Sequence, residues 1–319
     1  MFSTSTHKKK WTFDSPAHID KIRQDITDKY YAVFRPHLDH HHMMKALSVD
    51  EQKDYIRMVG HFGSLFAEKF TPKMWLSVKW TAYTYYRRFY LNRMIFDYHP
   101  KEVLLTCFYL ASKVDEFNVS IEDFVRNIQG GTDEDNRAII IGMEPKVMVG
   151  LNFELAVHCP FRALEGHLLE MKKELLLGFD IDALRPFAND FFHKCLYGDA
   201  SLLYPPSQIS LAAIKFALYQ LGNSDLEKND EILNEFLMKF LSVDEWSSEP
   251  GKMLVYNKLA ERVKEIYDYV MAIYDAHDTE TFDAIVVIIQ DWIDVSKDIP
   301  SPFRPIEPSE GEDIDSDDD

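Results

Sequence analysis

The sequence predicts an all-α protein made of two similar helical domains in tandem, and three observations predict it. Apolar residues recur at helical spacing through most of the chain. Turn formers are scarce: 12 Gly and 14 Pro in 319 residues fall short of what a β-sandwich or barrel needs at its special backbone positions. Two stretches also align with each other at one offset of 106 positions, without a gap. Tyr85–Leu91 falls on Phe191–Tyr197, and Pro100, Val103, Leu105, Cys107 and Ala111 fall on Pro206, Ile209, Leu211, Ala213 and Ala217. Two copies this long and this few are tandem domains and not a solenoid.

The elements follow in order. Ser15-Pro16 supplies an N-cap with Pro at N1, and Ile19, Ile22, Ile26, Tyr30 and Val33 continue a helix over about 16–34. A second helix carries Tyr55, Val59, Phe62, Phe66 and Phe70 on one stripe. Thr71-Pro72 repeats the cap-plus-proline signal and predicts a third helix running to about Asn92. His99-Pro100 opens a fourth, whose middle, Val103–Ala111, is apolar on nearly every side and so belongs at the centre of a bundle. Ser120 and Asp123 cap a short fifth. Gly130-Gly131 and the acidic run after it form a loop, and a sixth helix reaches Asn152-Phe153. Further helices are expected near 161–177, 182–198, 206–221, 229–241 and 252–275, and the stripe Phe282, Ile285, Ile289, Trp292 forms the last.

Composition narrows the function classes. With 46% hydrophobic residues the chain can bury a core. No apolar run approaches bilayer length, and MFSTSTHKKKW has no apolar signal core. Cys107, Cys159 and Cys195 lie far apart without a CxxC, which predicts reduced thiols in an intracellular protein. The net charge is −18, and eight of the acids (Glu307, Glu310, Glu312, Asp313, Asp315, Asp317, Asp318, Asp319) close the chain without a basic residue among them. That segment follows Pro300, Pro302, Pro305 and Pro308 and reads as an acidic disordered tail behind an extended linker.

The strings Tyr86-Arg87-Arg88-Phe89-Tyr90-Leu91-Asn92, Leu110-Ala111-Ser112-Lys113-Val114-Asp115-Glu116-Phe117 and Leu151-Asn152-Phe153 resemble the cyclin box. Leu202-Leu203-Tyr204-Pro205-Pro206-Ser207-Gln208-Ile209 resembles the second box of the transcription-linked cyclins. Lys10-Trp11-Thr12-Phe13 and Lys113–Ser120 are most similar to the H type within that family. The resemblance covers roughly residues 8–295. It implies two tandem five-helix boxes with extra helices at both ends. The expected division is an N-terminal extension over 1–50, a first box over 51–158, a second over 159–276, a C-terminal helix over 277–298 and the tail over 299–319.

The resemblance also implies a function: a regulatory, non-catalytic nuclear subunit, without cofactor or metal, that binds and activates a kinase of the cyclin-dependent kinase 7 type. A third, assembly-factor subunit would complete this CDK-activating kinase, which works inside transcription factor IIH on kinase activation loops and on the RNA polymerase II C-terminal domain. In the family, contact with the kinase αC helix keeps its Glu paired with the ATP-positioning Lys. The matching contact residues here are Lys113, at the end of the central helix of the first box, and Glu144, which faces it, with Val114, Asp115 and Glu116 beside them. Asp115 and Glu116 oppose the dipole of the helix they terminate, and residues that defy local preference often serve a partner. Pro145, directly after Glu144, departs from the family pattern and is expected to shift the start of that helix. Asp54–Val59 lacks the M-R-A-I-L docking motif of cell-cycle cyclins, and Arg87 replaces the Asp they place before R-F, which argues against substrate docking there.

His37, His40, His41 and His42 suit a transition metal but have no acidic or Cys partner at fixed spacing. Cys195 aligns with Phe89 and reads as a small core residue. Lys8–Lys10 reads equally as a nuclear-import element or as a solvated basic terminus. The alternatives are a cyclin C-like Mediator kinase subunit and a DNA-binding cyclin fold of the transcription factor IIB type. The acidic charge opposes direct nucleic-acid binding.

Overall fold

Among the described residues, fourteen α-helices and three short 3-10 turns account for the regular structure, and no strand occurs. The structure, a computed structural model, describes residues 2–37, 46–221, 226–243, 250–275 and 282–296. His40, His41 and His42 and the proline-spaced and acidic segments lie outside these residues. Short α1 (Thr6–Lys10) and long α2 (Pro16–Phe34) lead into a first bundle. That bundle comprises α3 (Val49–Lys69), α4 (Leu76–Phe89), α5 (Pro100–Val114), α6 (Ile121–Val125) and α7 (Asp133–Gly150). A second bundle holds α8 (Phe161–Glu174), α9 (Leu184–Cys195), α11 (Pro206–Leu221), α12 (Leu226–Phe240) and α13 (Pro250–Asp275), with the single turn α10 (Ala200–Leu203) inserted. Helix α14 (Phe282–Ser296) returns to pack on α3.

Several helices start where a side chain satisfies their first free N–H groups. Ser15, Ser48, Ser120 and Thr132 all cap in this way, and Ser48 forms a full capping box with Glu51. Helix α4 has no such cap, since Trp75 at its N-cap makes no side-chain hydrogen bond. It begins at Leu76 and not at Thr71-Pro72, because Phe70 and Met74 are both buried and the chain between them is used to seat these two anchors. Asn127 holds that segment by accepting from the Thr71 N–H (2.8 Å) and donating to its carbonyl (3.1 Å).

The all-apolar helices are central, as their lack of a polar face requires. Helix α5 packs against α3, α4 and α7, and α11 against α8, α9, α12 and α13. The repeated strings occupy equivalent places, on α4 and α5 in one bundle and α9 and α11 in the other. Phe89 and its counterpart Cys195 are both buried. Burial pushes the Cys107 and Cys195 thiols up, so both stay protonated core groups. The approach of α7 to α4 is close enough that a Cβ on Gly150 would meet the Phe89 ring at 2.6 Å.

The bundles meet through polar contacts as well as rings. Buried Arg87 donates to the carbonyls of Leu196 (3.2 Å) and Tyr197 (2.8 Å). Arg23 of α2 reaches Asp199 with two hydrogen bonds, at 2.7 and 2.9 Å. The N-terminal segment lies along the same joint: Phe13 N–H donates to Leu202 O at 2.8 Å, and the Arg88 guanidinium lies 5.1 Å from the Trp11 ring. Trp11 Nε1 donates to Glu154 (2.9 Å), which also pairs with Lys10.

His7 is sealed into this joint. Its Nδ1 accepts from the His158 N–H at 3.1 Å, and its Nε2 lies 3.2 Å from the Ser201 carbonyl. These partners suit the neutral ring with its proton on Nε2, and a second proton on Nδ1 would face an N–H. Burial, then the Arg88 charge, lowers its pKa to about 3, and burial lowers that of His167 to about 4. The folded state therefore binds fewer protons than the unfolded state below pH 6.5. Stability from both groups is complete above that value and is lost as pH falls towards 4. At pH 5 the loss is about 2 kcal/mol from each ring. Urea midpoints taken from pH 7.5 to 5 are expected to fall, and to fall less in His7→Gln. An unchanged midpoint across that range would exclude a neutral buried His7.

Candidate functional site

Helix α5 ends in a Schellman-type turn. Phe117 N–H donates to Ser112 O at 2.8 Å, and Glu116 takes φ 57°, a left-handed value uncommon outside glycine. The turn buries Phe117 and leaves Lys113, Val114 and Glu116 on the surface. The Lys113 ammonium lies 4.8 Å from the Tyr109 ring centroid and pairs with Glu144 of α7. Lys113 is 45% exposed and Glu144 12% exposed, so the pair sits at the surface with its lysine end open. Two of the expected residues, distant in sequence, are thus brought together.

Asp115 behaves differently from its neighbours. Its carboxylate turns inward to the start of α4, accepting from Ser77 and from Thr81 Oγ1. Burial raises its pKa, and these hydroxyls offset part of the rise. The acid that opposes the dipole of its own helix lies at the positive end of another. Asp115 therefore joins α5 to α4, while Lys113, Val114 and Glu116 remain exposed.

Pro145 does not shift the start of its helix. Helix α7 begins at Asp133, capped by Thr132, and runs through Pro145 to Gly150. The proline leaves the Ile141 carbonyl without its i+4 N–H. Only Ile140, Val147 and Gly150 of α7 are buried. Ile141, Pro145, Met148 and Val149 share the outer face by helical spacing, with Glu144 at its edge. Ile141 and Val149 are close to half exposed, and Phe153, at φ 56° just beyond the helix, is 66% exposed. Phe153 closes α7 in a helix-ending turn, its N–H donating to Met148 O at 2.9 Å, and leaves an apolar face exposed at this end of the helix.

The sequence matches two family models, the cyclin N-terminal domain over residues 72–156 and the cyclin C-terminal domain over 159–273. It is 34% identical over 218 residues to cyclin-H of Xenopus laevis, covering 67% of each chain. The chain belongs to the cyclin family. It is also similar to cyclin-H1-1 of Arabidopsis thaliana, 36% identical over 193 residues, though these span only 58% of this cyclin and 54% of the relative. In fold it resembles a chain of the CAK complex of Chaetomium thermophilum bound to ATP-γ-S, with a TM-score of 0.69 at 22% identity over 92% of this cyclin and 88% of that chain. A chain of yeast TFIIK gives 0.63 at 18% identity, covering 84% and 99% respectively.

In this cyclin, Arg87 is buried in the joint between the bundles, so it presents no docking group to solvent. Sequence reasoning missed the exposed Ile141, Pro145 and Val149. The signal was present: Ile139-Ile140-Ile141 places apolar residues on several faces of a helix that buries only one of them. No group of His, Cys, Asp and Glu suited to a metal occurs among the described residues, and no described helix is long and apolar enough to cross a membrane.

Proposed function

We propose that this chain is an H-type cyclin, a regulatory subunit without chemistry of its own that binds and activates a cyclin-dependent kinase. The observation that carries the proposal is the Lys113–Glu144 pair beside the bare apolar face of α7. Lys113 offers ammonium donors to kinase backbone carbonyls, with Glu144 fixing its direction, while Val114, Ile141 and Val149 supply apolar area. Such a contact acts on the position of the kinase αC helix, whose Glu must pair with the ATP-positioning Lys for phosphoryl transfer. Activation is then a population shift towards the αC-in state, limited by the difference in cyclin affinity for the two states. Similarity to cyclin-H chains, and a fold shared with chains of CAK and TFIIK complexes, support a nuclear assembly with a kinase and a third subunit.

Purification of the protein from its own cells, with its stoichiometric partners identified, tests this reading. A kinase and one further subunit are expected, active on kinase activation loops and on the RNA polymerase II C-terminal domain. Recovery without a kinase would overturn it. Activity on the polymerase domain alone would favour the cyclin C type, to which this chain is also related: it is 31% identical over 192 residues to cyclin-C1-1 of rice.

A further inference from the structure

The stripe on α3 is only half used by the core. Tyr55 and Val59 are buried, but Phe62 is 52% and Leu65 40% exposed. These residues line a cleft of about 510 Å³, together with Phe66, Leu104, Leu105, Ile128 and Val286 of α14. Its charged rim is one-sided: Lys69 and Lys101 line it, and no carboxylate does so among the described residues. In a chain of net charge −18, an apolar cleft edged only by cations selects an occupant that is apolar at one end and acidic at the other. The cleft lies at the start of α5, twelve residues from Lys113 and therefore ~18 Å along the helix from the proposed kinase contact.

This chain contains a segment of that chemistry. Phe303 and Ile306 directly precede the run of eight acids, and no basic residue follows Arg304. Helix α14, which supplies Val286 to the cleft wall, ends ten residues further on at Ser296, ~15 Å away along its axis. Phe303 and Ile306 lie seven and ten residues past that end, within ~23 and ~33 Å of extended chain, enough to turn back and reach the cleft. We propose that the chain's own C-terminal segment, residues 299–319, docks in this cleft, seating Phe303 and Ile306 against Phe62, Leu65 and Phe66 and bringing its acids to Lys69 and Lys101. The occupied cleft then has its apolar floor covered and its two rim cations paired.

Zero-length carbodiimide cross-linking of the full chain, read by mass spectrometry, tests this directly, because it joins only amines and carboxylates in contact. The expected links run from Lys69 and Lys101 to Glu307, Glu310 and Glu312 within one molecule. In Phe303→Ser/Ile306→Ser, which keeps every charge, they are expected to fall at least tenfold. Three results would overturn the proposal. The links could persist in that variant; they could form as readily to the exposed Lys8, Lys9 and Lys10; or, in a mixture of isotope-labelled and unlabelled protein, they could join two copies.

Discussion

Lys113→Ala with Glu144→Ala is expected to weaken kinase binding about 30- to 300-fold, a loss of ~2–3.5 kcal/mol, while leaving the fold intact. The two halves of this expectation have different causes. Within the free chain the pair is partly exposed, and such pairs contribute ~1 kcal/mol or less to stability, so helicity and the unfolding midpoint should hardly move. Against a partner the same ammonium is desolvated and its hydrogen bonds become hard to replace, so its removal costs several-fold more. Ile141→Asp should act in parallel by placing a charge on the bare face of α7, where Ile141 is 45% exposed. Titration of each variant with the kinase, alongside a phosphorylation assay, measures both halves. Unchanged affinity in the double variant would remove the pair from the interface. Loss of affinity with loss of helicity would assign it a structural role.

The helices were legible because each period and each cap is a local property. Ser15-Pro16, His99-Pro100 and Ser120–Asp123 sit at true helix starts, and the aligned prolines Pro100 and Pro206 open the two central helices. Thr71-Pro72 carried the same local signal and failed, since burial of Phe70 and Met74 overrode it. Lys113 and Glu144 were recognisable from motif resemblance, but their pairing depends on how α7 packs on α5, which no local pattern encodes. Asp115 shows the same limit in reverse: it looked misplaced on its own helix, and only the tertiary fold reveals Ser77 and Thr81 beside it. Nor could periodicity distinguish Phe62 from Tyr55 on one stripe. Both face inward by spacing, and the neighbouring helices decide which is covered and which lines a cleft.

Asp199→Ala is expected to cost about 3–5 kcal/mol of stability, because it leaves a buried guanidinium without its carboxylate. Arg23 is 8% and Asp199 13% exposed, and the pair is bidentate. Burial alone would raise the Asp199 pKa, yet the charge and hydrogen bonds of Arg23, with help from Arg87 and Lys53, hold it at about 2. Without it, the carboxylate left to Arg23 among the described residues is Asp20, at 3.7 Å and 44% exposed, and its Nε already has no partner among them. Arg23→Ala should cost less, since Arg87 and Lys53 still act on the remaining carboxylate. Arg23→Leu with Asp199→Leu should recover much of the loss, as replacing a whole buried pair by apolar groups often does. The ion pair spans from α2 to the loop before α10, so the single variants should also free the N-terminal extension and expose it to proteolysis. Urea unfolding of the wild type, the two alanine variants and their double-alanine combination closes a double-mutant cycle, and the double-leucine variant and limited proteolysis measured beside it resolve these contributions. A cost below 1 kcal/mol for Asp199→Ala would show that the extension is held instead by Trp11, which lies against Arg88 and donates to Glu154.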